Sequence, residues 1–184
     1  LGTATVTSGS SGIAITNNDG NSLTRIGVAA SVTGAINLGG GTDSLRFYGA
    51  GISNVTAIDG GAGTGDTLFF RNASGAVNGH VVGMETVTVE GASDVTFNGA
   101  LSAGVTTSGS TTVTLNSAAT VSNTITNDGG NSTVLVKNGA SVTGAINLGD
   151  GTDSLTFDGG DFSGVTAFDG GAGTGDSLTF KNVT

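Results

Sequence analysis

Fourteen Asp and Glu residues stand against five bases, Arg25, Arg46, Arg71, Lys137 and Lys181, with one histidine, no cysteine and a formal charge of −9. His80 is the sole imidazole, so neither a multi-histidine metal centre nor a Ser-His-Asp triad can be built around it from the sequence. Within RNASGAVNGHVVG it reads as a solvent-facing residue of a stretch, 73–83, that departs from regular structure. The lack of cysteine excludes disulfides, zinc thiolates and thiol catalysis. Asp150, Asp153, Asp158 and Asp161 offer carboxylates of the kind a glycosidase sets about 5 to 10 Å apart. The matching positions of a second copy of this segment are Gly40, Asp43, Tyr48 and Gly51, no base lies near in sequence, and no aromatic platform is evident. They read as solvated turn acids, and the chain as no enzyme. Arg25 and Arg46 fall on outward positions and read as an exposed pair of small energetic weight. The alternative is contact with an anionic partner.

Four aspartates have a more specific setting. Asp43 and Asp153 close the Gly-rich turns Gly39-Gly40-Gly41-Thr42-Asp43 and Gly149-Asp150-Gly151-Thr152-Asp153; Asp66 and Asp176 close the longer turns beginning at Gly60 and Gly170. Each has the parity of the apolar Leu two residues later, so its carboxylate should point into the turn. Two devices satisfy it there. One is capping, in which the carboxylate accepts hydrogen bonds from turn N–H groups. The other is a Ca²⁺ ion bridging two turns with six to eight oxygen ligands.

What positions these groups is a repeat. Residues 30–72 and 140–182 are identical at 32 of 43 positions, offset by 110, and ITNNDGNS at 15–22 matches ITNDGGNS at 125–132. The chain is therefore about 1.7 copies of one unit, 1–110 and a partial 111–184, in a single domain. A shorter period of 21 to 23 residues runs inside each unit: AINLGGGTDSLRF at 35–47 aligns with AIDGGAGTGDTLFF at 57–70. Each period carries short alternating segments such as SLRF, TVTV, DVTF and SLTF between Gly, Asn and Asp turns. Such a unit cannot bury its apolar face alone, whereas stacked units can. The expected fold is all-β: a parallel β-solenoid of about eight coils of 21–23 residues, a right-handed β-helix because the strict hexapeptide rhythm of the left-handed kind is missing. A β-sandwich is the rival and does not explain the tandem coils. Phe47, Phe70, Phe157 and Phe180 should line the interior, with Leu45, Leu68, Leu155 and Leu178. Thr-x-Thr triplets at 5–7, 86–88, 112–114 and 124–126 do not recur at the coil period, which speaks against an ice-binding face.

SVTGAINLGDGTDSLTFDGGDFSGVTAFDGGAGTGDSLTF at 141–180 and GMETVTVEGASDVTF at 83–97 resemble bacterial autotransporter passenger domains. That resemblance implies a right-handed β-helix at the bacterial cell surface, serving as an adhesin, self-association factor or stalk. Surface-layer proteins and giant surface adhesins show similar phrases. The turns at 39–45 and 149–155 also resemble the calcium-binding nonapeptide repeat of RTX-like surface proteins, which implies calcium at Asp43, Asp66, Asp153 and Asp176. Leu38 and Leu148 stand where that repeat has its first Gly, and the turns come once per coil. The functional expectation is a non-enzymatic extracellular rod with no resident cofactor, calcium apart. A filament or surface-layer subunit stacking end to end is the alternative, and a carbohydrate-active β-helix enzyme stands behind both. Expected partners are further copies through open solenoid ends, and a host or cell-surface glycan or protein. The acidic charge disfavours nucleic acid. No apolar run reaches the roughly 20 residues of a membrane span, and LGTATVTSGS lacks the features of a signal peptide.

Overall fold

The computed structural model describes residues 5–7 and 12–183; most of LGTATVTSGS lies outside them. Strands alternate between two parallel sheets as the chain advances. One sheet is built on Thr5–Thr7, Ser31–Asn37, Val55–Asp59, Ser74–Val77, Asp94–Phe97, Thr112–Leu115, Thr133–Lys137, Ser154–Asp158 and Ser177–Lys181. The other stacks Leu23–Ile26, Ser44–Tyr48, Thr67–Arg71, Thr86–Glu90, Val105–Ser108, Ile125–Asn127, Ala145–Asn147 and Ala167–Asp169. The result is the expected parallel β-solenoid of about eight turns.

Alternation within each strand sorts residues to the two faces. Inward residues form files that run from coil to coil. Leu45, Leu68, Val87, Val105, Ile125 and Ile146 are consecutive register partners in one sheet. Val77, Phe97, Leu115, Val136 and Phe157 are consecutive in the other. All of these are essentially solvent-free. Phe47 stacks on Phe70 at 5.2 Å between ring centres, and Phe70 meets Phe97 edge-on at 6.0 Å.

Three expectations need correction. Phe180 does face the interior and stacks on Phe157 at 5.6 Å, yet it is 42% exposed because it lies on the outermost rung. Leu178 and Phe168 on the same rung are exposed for the same reason. Residues 73–83 are no departure from the coils: Ser74–Val77 pairs in register with Asp94–Phe97, Val81–Val82 pairs with Val55–Asp59, and Val77 and Val81 are fully buried. Gly75 and Ala76 carry little strand preference of their own, and stacking between neighbours overrides it. Coil length also varies. Register partners lie 23 residues apart at Leu45 and Leu68, but 18 apart at Val87 and Val105.

The duplication does not match a whole number of turns. Ser44–Tyr48 belongs to the second sheet, whereas its copy, Ser154–Asp158, belongs to the first. The 110-residue step ends half a turn out of phase, so the two copies display the same sequence on opposite sides of the rod.

Candidate functional site

The four aspartates sit one residue before strands and form files along the coil corners. The Ser22 N–H donates to Asp43 Oδ1 at 2.7 Å, the Asp43 N–H to Asp66 Oδ1 at 2.6 Å, and the Asp66 N–H to Glu85 Oε2 at 2.6 Å. In the second copy the Ser132 N–H donates to Asp153 Oδ1 at 2.6 Å and the Asp153 N–H to Asp176 Oδ1 at 2.9 Å. The capping is thus between coils rather than within a turn. Each carboxylate takes the backbone N–H of the coil before it, a charge-assisted bond stronger than a neutral one. Glu85 extends the file and escaped notice because no Gly-rich turn precedes it; its place directly before TVTVE was the available signal.

The polar interior around Asp153 was also missed. Asn127 Nδ2 donates to Asp153 Oδ1 and to the Leu148 carbonyl, while the Ser132 hydroxyl bonds Thr107 and Thr111. All five side chains are buried. Small hydroxyl and amide residues in a Thr- and Asn-rich sequence carry no pattern that separates inward from outward.

Calcium would have to use the second carboxylate oxygens. Oδ2 of Asp43, Asp66 and Asp153 is buried without a hydrogen-bond partner. Oδ1 is already held by N–H donors, which do not ligate a cation. Among the described residues no three His, Cys, Asp or Glu side chains are gathered as a metal centre. Burial pushes the Asp66 carboxyl above its ordinary value of 3.8, and the Glu85 and Asp43 charges add to this against the lowering effect of the Asp43 N–H.

The glycines of these turns have a packing reason. A Cβ on Gly61 would run into the carbonyl oxygen of Gly39, and one on Gly63 into that of Gly41. The same holds for Gly171 on Gly149 and Gly173 on Gly151. Turn backbones on adjacent coils approach so closely that no side chain fits between them.

The four carboxylates considered for glycoside chemistry do not share one setting. Asp153 is interior, and Asp158 accepts from Asn182 Nδ2 at 2.7 Å. Lys137 and Lys181 are the register partners of Asp158, so bases do adjoin it in space although not in sequence. Asp161 accepts the Ser163 N–H, which holds its carboxyl below the ordinary value, and it lines an open cleft of about 760 Å³ with Phe162, Asn138 and Asn182. His80 is exposed.

The outward face of the second sheet holds what the sequence concealed. Arg25, Arg46 and Phe69 are consecutive register partners, and so are Tyr48, Arg71 and Glu90. Tyr48 and Phe69 lie 5.8 Å apart, and the Arg46 guanidinium stands 5.8 Å from the Phe69 ring centre. An aromatic platform therefore exists. It was hidden because its rings come from different coils and Phe69 is one half of a Phe-Phe pair. Further along the face, Thr88, Thr106 and Thr126 do stack, but in a single file.

No family model, curated protein or solved structure matches this chain. What is established is the solenoid, its files and its two faces.

Proposed function

We propose that the chain is a non-enzymatic extracellular rod with structural and adhesive roles, a passenger segment of an autotransporter-like surface adhesin at the bacterial cell surface, with the right-handed sense usual for parallel crossovers. The observation that carries this reading is the continuity of the inward files. They commit nearly all large apolar side chains, and the buried aspartates, to joining one coil to the next. That leaves the outward faces of a rigid stack as the surfaces that meet partners. The experiment is incubation with a panel of cell-surface polysaccharides, followed by sizing of the recovered polymer. Chains of unaltered length are expected; depolymerisation would move the reading to a carbohydrate-active enzyme.

A further inference from the structure

In a chain of net charge −9, three of five bases gather on one face. Arg25, Arg46 and Arg71 lie on three adjacent strands, Leu23–Ile26, Ser44–Tyr48 and Thr67–Arg71, together with Tyr48 and Phe69. Arg71 is held by Glu90 at 3.1 Å. Arg46 is braced by Ser44 Oγ at 3.0 Å and leans over Phe69, while among the described residues Arg25 is exposed and has no ion-pair partner. Both aromatic rings are half-buried by their neighbours and held on a sheet, so they form a fixed platform.

The duplicated unit supplies an internal control. Inward Leu45, Phe47, Leu68 and Phe70 recur unchanged as Leu155, Phe157, Leu178 and Phe180. On the outward side Arg46, Tyr48, Phe69 and Arg71 become Thr156, Asp158, Thr179 and Lys181, and Arg25 becomes Leu135. Leu155 and Phe157 are as fully buried beside Thr156 and Asp158 as Leu45 and Phe47 are beside Arg46 and Tyr48. Packing therefore does not require the arginine–aromatic set, and its concentration on one face needs another explanation.

We propose that this face binds a carboxylated polysaccharide. Aromatic ring faces accept the apolar C–H face of a pyranose. Guanidinium groups take carboxylates through paired hydrogen bonds. Arg25 and Arg46 repeat at the strand spacing of about 4.8 Å, so two neighbouring guanidinium groups stand ready for carboxylates of one chain. Three strands of four or five residues present on the order of 200 Å², far short of the roughly 800 Å² per partner of a stable protein interface. A few sugar residues fit that area, whereas a protein partner would have to reach well beyond these three strands. This inference deepens the adhesive reading above and rests on it.

The test is calorimetric titration with oligogalacturonate, maltohexaose as the neutral control and poly-glutamate as the polypeptide control. Tyr48, the only tyrosine in a chain without tryptophan, gives an independent fluorescence signal at the site. Oligogalacturonate should bind with a salt-dependent affinity and perturb Tyr48, and neither control should match it. The combined change Arg46→Thr, Phe69→Thr and Tyr48→Asp should weaken binding by about tenfold or more. It uses only residues the chain already places at the copied positions. Arg46→Gln alone, with a melting curve like the parent's, should weaken it about threefold, and Lys137→Gln should leave it unchanged. Equal binding of poly-glutamate or maltohexaose overturns the proposal. So does full binding by the folded combined variant, which would still leave the adhesive reading standing. Binding of no glycan at all by the parent chain would count against both.

Discussion

Asp66 is the residue whose electrostatics are most exposed to test. Its carboxyl is interior, lies between those of Asp43 and Glu85, and titrates above its ordinary value of 3.8. The folded state therefore holds this proton more tightly than the unfolded state does. Stability contributed by Asp66 is greatest where the group is protonated and falls as pH rises from about 3.8 through the raised value. As pH rises from below 3.8 towards neutrality the parent should accordingly lose melting temperature relative to Asp66→Asn, which removes the charge while keeping an oxygen for the Asp43 N–H. The same pH dependence of melting in both proteins would contradict the assignment. Calcium is tested at the same residues. Because each Oδ1 is committed to an N–H and, among the described residues, no three acidic side chains gather around the remaining Oδ2 atoms, melting curves with excess Ca²⁺ and with chelator should coincide. A calcium-dependent rise lost in Asp153→Asn would reverse this. The sequence made Asp43, Asp66, Asp153 and Asp176 legible through their parity and turns. It did not reveal that their partners are N–H groups about twenty residues away, because that depends on coil stacking.

At the scale of the element, each strand is held by what lies above and below it. Phe157 is fully buried between Val136 and Phe180, so Phe157→Ala should cost about 3 to 5 kcal/mol by denaturant unfolding. Phe180→Ala, on the half-exposed outermost rung, should cost less than half as much. Equal costs would mean that burial does not decide the contribution. Gly61→Ala should be severely destabilising, since the methyl group would fall on the Gly39 carbonyl, and unaltered unfolding would refute the close approach of the turns. The same contact explains why these turns resemble calcium-binding nonapeptides: stacked turns need glycine whether or not a metal is present. Strands rich in Val, Thr and Phe were legible from alternation. Ser74–Val77 was not, because Gly75 and Ala76 offer no alternation and the strand exists through its neighbours.

At the scale of the molecule, eight coils at about 4.8 Å give a rod roughly 40 Å long. The repeat announced the solenoid from the sequence alone. What it could not announce was the phase, since coil lengths of 18 to 23 residues accumulate into a half-turn offset between the copies. That offset turns the arginine–aromatic face and its diverged copy to opposite sides, so the proposed binding face lies on one side of the rod. The most direct test of the central claim is retention chromatography. The chain is immobilised, cell-surface polysaccharides of defined length are passed over it, and each polymer is sized on recovery. An adhesive, non-enzymatic rod should delay at least one class of polysaccharide and release it at its original length. Passage of every polymer without delay, or recovery of shortened chains, would contradict the account.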